Sequence, residues 1–531
     1  MRRILYLLGI FLLPLCCKSQ DVREYIKVMT DRELYITGEK LYVSVRIEDE
    51  KQQPLDMSRV AYVELCDTKK AHAQFMIALE DGCGWGEITL PPTMHSGIYE
   101  LSVYTRYMLN FAPSCFFRKH LGVVNLASKS PEDQLIWEET APEISSGKAS
   151  VHTDKSVYAQ RSKVQVHLPE DYQGQAAISV RKMDMANLSA ESAVQKQTYE
   201  GKPDGRYLPE LEGHLLSVRE SDVSSPLSQV RLGVMGLTSR VADGYLSKDN
   251  SFLISVNGMY GHQHIALDGY DAAGHEVPVT VNSPYAQSLP SELPVLKIGF
   301  QELPLQYRLL SSKLKEYVHS QRDYSQDFTV AGREPSYVYN LSEYTPMQSI
   351  REALTEFVEG IKSDKHNGQH ALFTTYEESI GYSRQPALVL LDGVPVQDIE
   401  KLLDYDARKI HYILIYRGKY TFGNTVQEGV ISFTTYSGDL PNFVLPENER
   451  LYEYDFPQDH PSFLAVEYPD DKSAASVQPD FRSLLYWNPQ VRGNAVSFYT
   501  SDMAGVYEIQ LTTFNALGEI ESYTGYFEVK P

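Results

Sequence analysis

Long apolar runs, basic charge and cysteine are all scarce in this sequence of 531 residues. After the first 20 residues, no segment reaches the roughly 20 apolar residues that a membrane-spanning helix needs. Lysine and arginine number 49 against 70 aspartates and glutamates, giving a formal net charge of −21. A surface of that sign repels nucleic acid and anionic lipid, so neither is expected as a partner. Cysteine occurs five times, and Cys16 and Cys17 fall in the first 20 residues. Cys66, Cys83 and Cys115 remain. One disulfide among them is allowed, and its pairing stays open. Three cysteines without a close pair make no zinc site. The Gly-x-Ser-x-Gly, His-Glu-x-x-His and phosphate-loop patterns are missing as well. No catalytic residue, cofactor or metal ligand is therefore nominated, and the chain is expected to bind rather than catalyse. His262 and His264 would share a strand face, but no third ligand stands near them in sequence.

The start, MRRILYLLGIFLLPLCCKSQ, has Arg2 and Arg3 before an apolar stretch from Ile4 to Leu15. It reads as a signal peptide over residues 1–19, too short to span a bilayer. Acylation at Cys16 or Cys17 is the alternative. Leu15 fits it poorly, because lipid processing wants a small residue before the cysteine. Export to the periplasm or outer membrane is the expectation, without a transmembrane segment after the leader.

Tyrosine is abundant at 37 residues, and alternating β-branched runs recur, which predicts a mainly β fold. TDRELYITGEKLYVSVRI from Thr30 is echoed by TDKSVYAQRSKVQVHL from Thr153. Asp31 matches Asp154 and Tyr35 matches Tyr158. Leu41, Val43 and Val45 match Val164, Val166 and Leu168. Period-two alternation buries one face of each strand. SGIYELSVYT from Ser96 is echoed by AGVYEIQLTT from Ala504, with Tyr99 matching Tyr507. These repeats predict sandwich-sized units over 20–126 and 150–210, and an Ig-like segment over 479–531. Short strands and glycine turns between 211 and 290 predict another small sandwich.

Near residue 300 the pattern changes. LPLQYRLLSSKLKEYVHSQ reads as a helix, and so does TPMQSIREALTEFVEGI. In the second, Thr345 would cap, Pro346 would open the first turn, and Ile350 to Ile361 keep helical spacing. PALVLLDGVPVQD predicts two strands around an Asp392-Gly393 turn. KIHYILIYRG and GVISFTTYSG add two more strands, so 300–436 forms an α+β domain. Pro and charge over 437–478 predict a linker.

On these residues the chain resembles two families. TDRELYITGEKLYVSVRI with SGIYELSVYTRYM is similar to a bacterial macroglobulin-like domain. PALVLLDGVPV with IYRGKYTFGNTVQEGVISFTT is similar to the plug of TonB-dependent receptors. The resemblance implies tandem Ig/macroglobulin-like β-sandwiches with an inserted plug-like domain, in an exported Gram-negative envelope protein. It further implies binding to an outer-membrane or envelope partner, such as a transport complex. A receptor would need a barrel after its plug, and the residues left are too few for one. The runner-up reading is a surface adhesin or glycan-binding protein.

Thioester macroglobulins carry a run similar to DGCGWGE at 81–87. Their cysteine needs a Gln three residues on, and Gly86 stands there, so Asp81-Gly82 and Gly84 are expected to form a hairpin turn, with Glu87 to Leu90 returning as a strand. YTRYMLNF from Tyr104 is dense in rings. Tyr104 and Tyr107 are partner-binding candidates there, as are Asp392 and Gly393 at the hairpin tip, although core packing competes for Tyr104.

Overall fold

The computed structural model describes residues 22–127, 129–138, 148–149, 151–169, 176–183, 194–221, 226–238, 240–247, 250–299, 333–376, 381–422, 425–445, 450–459, 466–468, 479–514 and 520–531. The predicted leader, the acylation alternatives Cys16 and Cys17, and the helix predicted around 303–321 lie outside them.

Strands dominate, as the alternating patterns predict. In the first sandwich, Tyr25–Thr30, Lys40–Glu48 and Cys83–Thr89 form one antiparallel sheet. The other sheet runs in the order Leu34–Ile36, Phe117–Val124, Gly97–Tyr104, Val60–Cys66, Ala71–Ala78. Leu34–Ile36 joins it parallel to Phe117–Val124. Between the sheets lie Ile26, Val43, Val63, Leu101 and their neighbours, all buried.

The second sandwich repeats this plan from two distant parts of the chain. His152–Thr153, Lys163–His167 and Ala495–Tyr499 make its small sheet. Its large sheet orders Val157–Ala159, Ile520–Lys530, Gly505–Phe514, Ala176–Lys182 and Leu484–Val491. Lys148–Ala149 adds a further parallel pairing on Ile520–Lys530. Strand for strand, both sheets follow the order of the first sandwich, including the short parallel strand. The segments predicted separately at 150–210 and 479–531 are thus one domain. Neither half closes a core alone, since Val164, Val166 and Ile178 pack against Phe498, Leu511 and Phe527. The 150–210 boundary also changes at its far end. Residues 194–207 run along the first sandwich, where Gln197 bonds both the N–H and the carbonyl of Ile26, at 2.9 and 2.7 Å.

A third sandwich sits in the interval between the halves of the second. One sheet orders Tyr245–Leu246, Phe252–Val256, His214–Glu220, Val279–Val281. The other orders Arg240–Asp243, Gln229–Val234, His262–Tyr270, Arg450–Asp455. Its last strand comes from the predicted linker. RLYEYD alternates, and its Tyr452 and Tyr454 pack against the sandwich core. Pro and charge on either side hid that alternation.

Within the third sandwich, between Val281 and Arg450, lies the α+β domain. Its sheet orders Tyr337–Asn340, Ile410–Phe422, Thr425–Thr435, Leu388–Leu391, Val394–Pro395, with Leu388–Leu391 parallel to Thr425–Thr435. Two short helices, Ile350–Glu356 and Ile399–Leu403, pack against it. The first is shorter than its periodicity predicts. Ser349, not Thr345, caps it by accepting from the Glu352 N–H at 3.3 Å. After Glu356 the chain turns through Gly360 (φ 87°), and Ile361 opens the strand Ile361–His366.

The fold is therefore mainly β, with tandem sandwiches and an inserted α+β domain, and the insertions are nested. The α+β domain interrupts the third sandwich, which interrupts the second. No helix among the described residues is long and apolar enough to cross a membrane.

Candidate functional site

The residues nominated from sequence are spread over the molecule and are largely occupied by internal contacts. At Asp392-Gly393 the chain makes the expected tight turn, with φ of 48° and 79°. Its tip is not free. The Asp392 carboxylate is buried and accepts from the Thr435 N–H at 2.6 Å, the Thr435 hydroxyl at 2.7 Å and the Leu440 N–H at 2.9 Å. Burial raises its pKa, and those bonds oppose the rise. Gly393 lies against the third sandwich, where a Cβ would stand 2.1 Å from the Val234 carbonyl oxygen. The hairpin docks inside the chain. A partner surface at this tip, expected from sequence, is corrected by that contact.

Tyr104 is fully buried and donates to Glu64 at 2.5 Å, with Phe116 stacked on its ring at 4.4 Å. Tyr107 is half-buried in the 3-10 turn Tyr107–Asn110, edge-on to Phe111. Cys66, Cys83 and Cys115 are free and buried, so the disulfide left open above is not formed. Burial pushes the Cys66 and Cys115 thiols up to about 12, which keeps both protonated. His262 and His264 each face an acidic residue across the strand pair, Asp455 at 2.8 Å and Glu453 at 3.8 Å. No metal-holding group of three is present among the described residues.

Asp81-Gly82 is the expected turn, with Glu80 and Cys83 exchanging bonds of 2.8 and 2.9 Å across it. The expected hairpin is corrected, because the strand that follows pairs with Lys40–Glu48 and does not return along Ala71–Ala78. The turn passes the chain from one sheet to the other. Gly84 and Gly86 permit close packing there. A Cβ on Gly84 would lie 2.2 Å from the Ala78 carbonyl oxygen, and one on Gly86 would lie 2.8 Å from Gln458 Oε1.

Two features were not foreseen. One is a buried polar joint between the first and third sandwiches. Tyr62 donates to Glu210 Oε1 at 2.8 Å, and His214 Nδ1 lies 3.0 Å from the same oxygen. His214 Nε2 meets the Tyr454 hydroxyl at 2.7 Å. Burial, with Glu210 second, holds the Tyr62 phenol well above its usual range, so it stays a neutral donor. A carboxylate, an imidazole and two phenols in contact resemble a proton relay. Glu210, His214 and Tyr62 are shut from solvent, however. Nearby, Glu24 accepts from Thr105 and is pushed up to about 7 by burial. Gln458 reinforces the joint from the third sandwich's side. Its side chain bonds the Glu87 N–H and carbonyl at 2.8 and 2.7 Å, and its backbone bonds Met76 and Ala78. Sequence pattern gave no sign of this, because Glu210 and Gln458 sit in segments without periodicity.

The other feature is a cleft of about 870 Å³ between the same two sandwiches. Arg106, Phe111 and Phe116 line one side, and Ser217, Arg219, Thr280 and Asn282 line the other.

No known family's sequence profile matches the chain, and no curated protein matches it. Among solved structures it is similar to Salmonella alpha-2-macroglobulin reacted with methylamine, at 8% identity and TM-score 0.17, over 95% of this chain and 23% of that one. It is similar to native Escherichia coli alpha-2-macroglobulin at 10% identity and TM-score 0.23, over 96% of this chain and 40% of that one. An Escherichia coli adhesin aligns at 10% identity and TM-score 0.13, over 49% of this chain and 64% of that one. This chain thus spans less than half the length of either macroglobulin. Overlaps this loose transfer none of the neighbours' activities. No family is assigned by them.

Proposed function

We propose that the chain is a non-enzymatic scaffold of the cell envelope, whose sandwiches hold the α+β domain for docking onto an outer-membrane protein. The observation that carries the reading is an aromatic face on that domain. Tyr344 stacks on Phe357 at 4.2 Å, and Tyr436 stacks on His411 at 4.5 Å. Tyr344 is 38% exposed and Tyr436 is 52% exposed. Both border a hollow of about 230 Å³ that also touches Leu341 and Met347. Rings with an apolar body and a polar tip are favoured at protein interfaces. The plug-like sequence resemblance supports the same reading, by analogy of domain type. On this reading the docking residues are Tyr344 and Tyr436, in place of Asp392 and Gly393.

Affinity purification from the native envelope tests it. An outer-membrane protein recovered with the wild-type chain, and lost with Tyr344→Ser/Tyr436→Ala, supports the docking role. Recovery of no such protein counts against it.

The adhesin or glycan-binding reading is favoured by one separate observation, the hydroxyl-rich cleft between the first and third sandwiches.

A further inference from the structure

The cleft between the first and third sandwiches holds two arginines that pair with no carboxylate among the described residues. In a protein with 70 acidic and 49 basic residues, an arginine meets a carboxylate readily. Many do so here, such as Arg231 with Asp243 at 2.8 Å and Arg161 with Asp502 at 2.6 Å. The two arginines of the cleft do not. Arg106 is 6% exposed, and its Nε has no hydrogen-bond partner. Its guanidinium lies 5.6 Å from the centre of the Tyr207 ring, and it makes no ion pair among the described residues. Arg219 is exposed on the opposite wall, and its side chain makes no hydrogen bond or ion pair there either. One carboxylate, Glu220, lines the cleft with them. Burying a guanidinium without an ion pair is costly, and an anion entering the cleft would offset that cost.

The rest of the lining narrows the choice of anion. Hydroxyls and amides predominate, including Ser221, Thr280 and Asn282. Such groups suit a ligand with many hydroxyls, and match an apolar small molecule poorly. Tyr285, half-buried, adds an aromatic edge to the lining beside them. A guanidinium suits a carboxylate, which it can take in a forked geometry.

We propose that this cleft binds an acidic saccharide, with Arg106 and Arg219 holding the carboxylate of a sugar acid. The proposal rests on the glycan-binding reading and not on docking through Tyr344 and Tyr436. The two fail separately, because the purification test reads a different domain.

Calorimetric titration of the full chain with trigalacturonate, its methyl ester and an acidic hexapeptide tests it. Trigalacturonate should bind, and the ester should bind roughly tenfold more weakly, since it lacks the charge. Arg219→Gln should weaken trigalacturonate binding by roughly tenfold with an unchanged melting temperature, because its side chain makes no hydrogen bond or ion pair among the described residues. Absence of trigalacturonate binding overturns the proposal. So does equal affinity for the ester, tighter binding of the peptide, or unaltered binding by the folded Arg219→Gln protein.

Discussion

The hydroxyl of Tyr158 donates to Asp154 at 2.6 Å, and in the first sandwich Tyr35 makes the same bond to Asp31 at 2.7 Å. Each aspartate also receives a backbone N–H from the following strand, that of Gln165 at 3.0 Å and that of Tyr42 at 3.2 Å. A second pair of tyrosines repeats in the same way. Tyr99 donates to the carbonyl of His95 at 2.9 Å, and Tyr507 to that of Met503 at 2.8 Å. The Asp–Tyr bond pins the turn that launches the small sheet, and the second bond pins the start of a central strand of the large sheet.

The burial of these bonds sets their weight. Tyr35 is fully buried, so Tyr35→Phe leaves Asp31 short of a partner inside the protein and should cost about 1–3 kcal/mol. Tyr158→Phe, where Asp154 is open to water, should cost about 1 kcal/mol or less. Denaturant unfolding of the two variants checks the order, and equal losses would contradict it.

Much of this was legible beforehand. Asp31, Tyr35, Tyr99 and their counterparts are local signals, set by residues close in sequence, so the repeat pattern exposed both sandwiches. What joins them is not local. Strand Lys163–His167 completes its sheet with Ala495–Tyr499, and alternation says that a strand has a buried face without saying which strand lies beside it. The same blindness placed Arg450–Asp455 in a linker. At Asp392-Gly393 the turn was legible and its packing was not, since an Asp-Gly turn reports backbone shape and not what packs on it.

Gly393 gives a way to separate turn from docking point. Gly393→Ala places a methyl group against the Val234 carbonyl at a φ of 79° and should destabilise the protein by a few kcal/mol, on the order of 2–4. Asp392→Ala, which strands three buried donors, should do at least as much harm. A partner-binding loss in a variant of wild-type melting temperature would contradict the packing role.

Glu24 should make stability depend on pH. Its folded pKa is raised from 4.5 to about 7 by burial, so the native state holds the proton more tightly than the unfolded chain. Stability therefore falls as pH rises from about 4.5 through about 7, and the penalty is complete above that window. Asp268, also raised to about 7 by burial, adds to the fall. Glu24→Gln should flatten part of the slope and raise the melting temperature at pH 8. A melting temperature that climbs through this window in the wild type and is unaltered in the variant would contradict the assignment.

Gln458 ties the third sandwich to the first. Gln458→Ala removes both side-chain bonds to Glu87 and should cost about 1–3 kcal/mol. Amide exchange at Glu87 should rise in that variant, while exchange in the strand Gly505–Phe514 should not.

The nested order of the domains underlies every reading above, and one cross-link tests it most directly. Gln165 and Ser497 face each other across paired strands of the second sandwich, and both are exposed. Cysteines placed there by Gln165→Cys/Ser497→Cys fall within the Cα spacing that a disulfide tolerates. Under mild oxidation the folded variant should form an intramolecular disulfide that closes the loop and shifts its gel mobility. Free thiols at both positions in a folded, oxidised variant would mean that the two ends of the chain build separate domains, and would contradict the nested architecture.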